Sequence, residues 1–364
     1  MYYFIHMKKN LTILIVLFVM TICAGKSNSS DKILKLRCSS DPSAAVAIDA
    51  DTFVVADDEN NMLKFYKTTG KAEPVYSFNL NRFLGIDPKH PEADIEGSTR
   101  IGNRIYWITS HGRNKDGKPR ASRYQFFATD INKQGSDITL KPIGSSCFDL
   151  AHKIVKDKKF KFLGIDRATG FYDLNLSKKQ RKLLAPKKQG LNIEGLCRSA
   201  DGKSLYIGLR NPQYQDKAIV IQLLNPAEVI EKMMNPEFGE PILWDFKSRG
   251  IRSFEYNPYH KAYFIIAGPA GSRSTFSLYK WSGQRSSLPQ LLKQIFPANF
   301  TPEALIVFDN KPEMLVLSDD GTVEVKVDSP AQCMEGTYIS PGKCLNKHLI
   351  IPQKQTFKAI WIDP

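Results

Sequence analysis

The sequence is poor in cysteine, with six in 364 residues and five once Cys23 near the N-terminus is set aside. An odd number cannot all pair within one chain, and neither CxxC nor zinc spacing occurs, which speaks against a structural zinc site. Beyond the first 25 residues no apolar run approaches the roughly 20 residues needed to cross a bilayer. GxSxG, HExxH, P-loop and dinucleotide fingerprints are all missing, which removes the chemistries that depend on them. Asp57-Asp58-Glu59-Asn60-Asn61 is rich in calcium-type ligands but lacks EF-hand spacing and its closing glutamate. Helical patterns are scarce as well. Asn225–Met234 is the one candidate, with Asn225 placed to cap it, Pro226 in its first turn, and Glu228 and Glu231 in its N-terminal half.

What is present begins with a targeting segment over residues 1–25. Lys8 and Lys9 precede an apolar run from Leu11 to Cys23 of signal-peptide length, and small Ala24 and Gly25 follow. Met7 opens a tidier signal than Met1 does. Cys23 raises a lipoprotein reading, against which the bulky Ile22 stands. The expectation is export to the periplasm or beyond, with residues 26–364 forming one domain that does not span the membrane. The formal charge of +14 becomes +12 without the two signal lysines, and the excess gathers in Lys153–Lys161 and Lys178–Lys188. A solvated strand face and an anionic small molecule or surface component as partner both fit this; an exported chain without a recognisable motif is not expected to bind nucleic acid. Cys333 and Cys344, flanking a short loop, are the best disulfide candidates. Cys147 and Cys197 lie in apolar strand patterns and read as buried thiols.

The chain repeats itself. Six stretches read as apolar strand, turn and apolar strand, beginning near Ala44, Glu96, Phe148, Glu194, Arg252 and Glu303, at a spacing of about 46–58 residues. Further strand-like segments follow most of them, such as RYQFFATDI, AIVIQLL and FSLYKW, and Asp201-Gly202 and Asp320-Gly321 are hairpin dipeptides. Four antiparallel strands per repeat, arrayed about an axis, predict an all-β propeller of about six four-stranded blades with one short helical insertion. Either the late KAIWI or the early KILKLRC is expected to close the ring.

The segments ADDENN, DIEGSTRIGNRIYWITSHGRNKDGKPR, NIEGL, GLRNP, LLNPAEVI, RGIRSFEYNP and IIAGPAG resemble a bacterial family known as domain of unknown function 3616, over about Ala44 to Trp281. The resemblance implies a propeller-like fold and brings no activity with it. More distantly the arrangement looks like the esterase- and phytase-like propellers, which use calcium and charged channel mouths, but no motif carries their catalytic residues over.

Topology sharpens the site. In an antiparallel blade the start of the innermost strand and the end of the second lie at one end of the channel. Glu96, Glu194 and Glu303 hold the same register in three innermost strands, and Arg252 holds it in a fourth. Carboxylates facing one another need a cation, a proton or an arginine. One reading is a Ca²⁺ site made by Glu96, Glu194, Asp58 and Glu303, with Arg252, Asn114 and Asn211 binding ligand. His111, Arg113 and Arg210 would then serve an anionic substrate such as a phosphoester, in a metal-dependent hydrolase. The alternatives are a salt-bridge lattice that packs the channel, and a non-catalytic scaffold that binds a protein or surface polymer.

Overall fold

The structure is a computed structural model. It describes residues 33–364 apart from Asp58, Ser136, Leu174, Ser272, Arg273, Ser274, Gln294, Ile295 and the side chain of Lys293. The segment read as a signal lies outside the described residues. The described residues form a single compact unit.

After β1 (Leu34–Arg37), the first blade is β2 (Pro42–Ala47), β3 (Thr52–Asp57), β4 (Met62–Lys67) and β5 (Tyr76–Asn79). The second is β6 (Ile95–Ile101), β7 (Arg104–Thr109), β8 (Phe126–Gln134) and β9 (Asp137–Cys147). Three short helices follow, α1 (Leu150–Lys156), α2 (Ile165–Thr169) and α3 (Lys178–Leu183). The third blade is β10 (Asn192–Arg198), β11 (Leu205–Asn211), β12 (Ala218–Leu223) and β13 (Ile242–Trp244), with α4 (Pro226–Lys232) inserted before β13. The fourth is β14 (Arg249–Asn257), β15 (Ala262–Pro269), β16 (Ser277–Trp281) and β17 (Gln290–Lys293). The fifth starts with β18 (Pro302–Val307) and β19 (Met314–Ser318), leaves for a two-stranded ribbon of β20 (Glu324–Lys326) and β21 (Lys343–Leu345), and resumes with β22 (Thr356–Ile362).

The propeller therefore has five four-stranded blades, not six. The stretch from Phe148 read as a sixth repeat is helical: α1, a 3₁₀ turn over Lys158–Leu163, and α2. Leu150, Ala151, Ile154 and Val155 recur at helical spacing and pack, with Phe160 and Ile165, into the gap between blades 2 and 3. The expected single helical insertion is thus joined by a second, larger one. At the other, α4, Asn225 stands at the cap position without capping. Its side chain bridges instead to Asn235 O (3.0 Å) and Glu237 N (2.8 Å). Both candidate closing strands are used, because blade 5 runs β18-β19-β22-β1 and so joins the two ends of the domain.

Each gap between blades is a separate core. β3 is buried along its whole length because its faces serve two gaps: Phe53 and Val55 pack toward blade 5, Val54 and Ala56 toward blade 2. Trp244, Trp281 and Tyr206 fill the gap between blades 3 and 4, and Phe264, Leu278 and Met314 the next. Cys333 and Cys344 meet in a small cluster under the ribbon, both as free buried thiols. No helix among the described residues is long and apolar enough to cross a membrane.

Closure rests on Phe357 of β22, which is fully buried and stands edge-on to Tyr66 of blade 1 with ring centroids 5.3 Å apart. Phe357→Ala is expected to cost about 3–5 kcal/mol in urea unfolding, against less than about 0.5 kcal/mol for exposed Ile350→Ala. Similar losses for the two would contradict closure through this contact.

Candidate functional site

All five innermost strands carry the same irregularity. Pairing with the second strand slips by one residue between Pro42 and Ala44, Ile95 and Gly97, Ile193 and Gly195, Ile251 and Ser253, and Pro302 and Ala304. The residue left over is Ser43, Glu96, Glu194, Arg252 or Glu303. A β-bulge leaves its extra residue out of the ladder and re-aims the side chain. Small residues follow because the strands crowd the axis. A Cβ on Gly97 would lie 3.0 Å from Ile108 and Leu196, and one on Gly195 would lie 2.7 Å from Ile251. The cavity between the strands, bordered by Ser43, Glu96, Ser98, Glu194, Ser253 and Ala304 among others, measures about 10 Å³, room for about one water.

Arg252 is the centre of this ring. Its Nε donates to Glu303 Oε2 (2.8 Å) and Nη2 also contacts Glu303, while Nη1 reaches Glu194 Oε1 at 3.4 Å. Glu194 Oε1 also accepts from Arg210 Nη1 (2.8 Å) and Asn192 Nδ2 (2.6 Å). These groups are buried, with Glu194 at 4%, Arg210 at 5% and Arg252 at 6% exposure. Burial, and after it the neighbouring Arg210, lowers the pKa of Arg252 to about 10, so it stays charged at neutral pH. Two buried oxygens, Glu194 Oε2 and Asn192 Oδ1, have no hydrogen-bond partner, although Oε2 lies 3.0 Å from Arg252 Nε.

Glu96 differs from the other two glutamates. It makes no ion pair or hydrogen bond among the described residues, and it is half-buried on the wall of the axial cavity. Burial, then Glu194 and Asp94, raises its pKa well above the ordinary carboxylate value.

The other expected site residues are turned to structural tasks. His111 does not open onto the mouth: it is 1% exposed, in left-handed backbone (φ 51°), with Nδ1 2.9 Å from Thr109 O and Nε2 unpartnered. Burial lowers its pKa to about 4, so the ring is neutral. Arg113 spends its guanidinium on the carbonyls of Thr169 (3.0 Å), Gly117 (3.1 Å) and Gly170 (2.8 Å), tying down α2. Asn114 Oδ1 organises a turn through the N–H groups of Asp116 and Lys118. Asn211 donates to Pro186 O and Ala270 O. Arg210 adds Pro269 O and Gly271 O to its bond with Glu194. Asp58 lies outside the described residues. Among those described, no three His, Cys, Asp or Glu side chains form a ready metal cage.

Sequence reasoning missed Arg123 and Asp41. Arg123 pairs with Asp94 (2.8 Å) and contacts Glu92 at the blade 2 mouth. Its only sequence signal is its place just before an apolar strand. Asp41 is buried on the Cα of Gly321, where a Cβ would lie 1.8 Å from its carboxylate oxygen. Burial, then Asp319 and Asp57, raises its pKa to about 8.

The family described as "Protein of unknown function (DUF3616)" matches residues 42–133 and 164–325. The chain belongs to this family. The DUF3616 match covers all five bulges and skips the stretch holding α1. No curated protein matches the sequence significantly. Solved structures that align with it include hydrazine synthase of Kuenenia stuttgartiensis, at 12% identity and TM-score 0.35, over 80% of this chain and 57% of that one. A putative oxidoreductase (glucose dehydrogenase) of Thermus thermophilus aligns at 8% identity and TM-score 0.42, over 91% and 100% of the two chains. The PQQ-bound aldose sugar dehydrogenase of Streptomyces coelicolor aligns at 8% identity and TM-score 0.39, over 91% and 99%. These likenesses are too loose to carry an argument about activity.

Further along the channel in this DUF3616 propeller sits another buried carboxyl, Glu255 of β14. Its Oε2 accepts from Tyr256 N (3.2 Å) and lies 3.5 Å from Thr99 Oγ1 of blade 2, while Oε1 has no partner. Burial raises its pKa to about 8. An acid whose folded pKa is raised stays protonated in the fold while the unfolded chain loses the proton near pH 4.5. Its contribution to stability is therefore full below that pH and fades as pH rises toward about 8. Glu255→Gln should outlast the parent in urea at about pH 8 by on the order of 2 kcal/mol and converge with it near about pH 5. A constant difference across that range would contradict a buried, protonated Glu255.

Proposed function

We propose that this chain is an exported ligand-binding propeller whose working site is the bulge ring, where a small cation is held beside Glu96, Glu194 and Asn192. The observation that carries this reading is a charge imbalance. Glu96, Glu194 and Glu303 share the ring with two guanidiniums, Arg210 and Arg252, and Glu96 is the one of the three carboxylates without a partner among the described residues. One negative charge in excess calls for a proton or a cation.

The oxygens without a hydrogen-bond donor are the Glu96 carboxylate and Asn192 Oδ1, with Glu194 Oε2 beside Arg252 Nε, and an all-oxygen set is the chemistry of a hard cation such as Ca²⁺. Glu303, expected in the same shell, is taken up by Arg252. Extracellular calcium modules work at about 10⁻⁴ to 10⁻³ M, a range that suits a shell with few protein ligands. Phosphoester hydrolysis is not part of the proposal, because His111 is enclosed and the guanidiniums of Arg113 and Arg210 are engaged with carbonyls and Glu194.

The test is thermal melting with and without millimolar CaCl₂, for the parent and for Glu96→Gln, which keeps the arginine pairs intact. The parent should melt higher with Ca²⁺, and more so as pH rises, because the ion displaces the proton held by Glu96; the variant should not respond. Equal responses in the two proteins, or none to Ca²⁺, Mg²⁺ or Na⁺ in the parent, would overturn the reading.

A further inference from the structure

The helical wedge between blades 2 and 3 carries most of the charge of this protein. Residues 148–190 hold ten lysines and two arginines against four aspartates, a surplus of +8 of the chain's +14. The sequence pattern suggests a solvated strand face, but these residues sit on α1, the 3₁₀ turn, α2 and α3. The apolar side of the wedge is spent on the ring, which leaves the basic side outward. Lys156, Lys158 and Lys161 have no ion-pair or hydrogen-bond partner among the described residues, and α3 buries none of its side chains.

Two further features separate this face from an ordinary solvated surface. Large aromatics stand exposed among the lysines: Phe148 at 53%, Phe162 at 51% and Tyr172 at 62%. A cleft of about 480 Å³ opens between the helical segments, with Lys156, Lys161, Asp166 and Tyr172 on its walls and Val155, Phe160 and Ile165 at its floor. That volume is in the range of small-ligand sites. Its base is apolar, and its rim carries two lysines and one aspartate.

We propose that this wedge docks on an anionic lipid bilayer, with a lipid phosphate between Lys156 and Lys161 and the rings of Phe162 and Tyr172 at the headgroup level. Basic residues interleaved with aromatics and backed by apolar surface match the boundary between charged headgroups and acyl chains, whereas a purely phosphate polyanion has no apolar group to meet the exposed rings. The face stands apart from the bulge ring and does not depend on the cation reading. Part of it, α1 with the 3₁₀ turn, falls between the two stretches matched by the family, so the device is added to the blades rather than made from them.

The experiment uses residues 31–364, the compact unit that contains every blade and excludes the apolar leader. It measures co-sedimentation with vesicles of equal parts phosphatidylglycerol and phosphatidylcholine, and with phosphatidylcholine alone. The anionic vesicles should bind at least about tenfold more tightly, and high salt should erase the difference. Lys156→Glu with Lys161→Glu should lower the affinity about tenfold, while Lys203→Glu with Lys326→Glu, an equal change of charge on exposed lysines elsewhere, should leave it near the parent's. Phe162→Ser with Tyr172→Ser should weaken vesicle binding while binding to soluble polyphosphate stays unchanged. Equal losses in the two lysine pairs would reduce the effect to net charge and overturn the proposal. Vesicle binding that survives loss of both rings, or that polyphosphate matches, would overturn it in favour of a soluble polyanion.

Discussion

Five strands run side by side around one axis, and the space between them is about the size of a water. Any side chain that enters that space does so at the expense of the regular ladder. The bulge is how each strand manages it: one residue leaves the pairing, and the residue after it is small enough to let the backbones close up. Because the bulge recurs at the same level in all five blades, Ser43, Glu96, Glu194, Arg252 and Glu303 form one constellation although they span most of the chain. The ion-pair lattice, the raised pKa of Glu96 and the proposed cation all follow from this packing constraint.

Within the constellation one cation spans two anions. Arg252 touches both Glu194 and Glu303 and so links blades 3, 4 and 5 through charge. Neutral contacts continue the ring, since Ser43 donates to Ile95 O of blade 2 at 2.5 Å and Ser253 accepts from Leu305 N of blade 5 at 2.9 Å. A buried ion pair costs desolvation and adds little net stability, yet removing one partner leaves a buried charge and costs about 3–5 kcal/mol. Such a lattice fixes the relative positions of blades more than it stabilises them. It leaves Glu96 without an ion pair among the described residues.

Much of this is legible in the sequence, for definite reasons. Ile95-Glu96-Gly97, Ile193-Glu194-Gly195 and Pro302-Glu303-Ala304 share a large–charged–small pattern, and the apolar strands around them fix their register. Arg252 falls into line for the same reason. The sixth repeat fails because KFKFLGI alternates like a strand over a few residues, while the helical spacing of Leu150, Ala151, Ile154 and Val155 just before it is what decides. A strand end is ordinarily exposed, which is why the sequence points His111 at the mouth; here its positive φ and the Arg113 clamp on α2 fold the loop over it. The pairing of β1 with β22 in one blade unites chain ends that no local pattern relates.

The claim on which the channel account turns is that Glu96 is the unpaired carboxyl of the ring and holds a proton when no cation is bound. Infrared difference spectroscopy between the parent and Glu96→Gln, at neutral pH in calcium-free buffer, reads this directly. The account predicts a protonated carboxylic C=O band in the parent that is absent from the variant. A parent spectrum showing Glu96 as an ionised carboxylate under those conditions would contradict it.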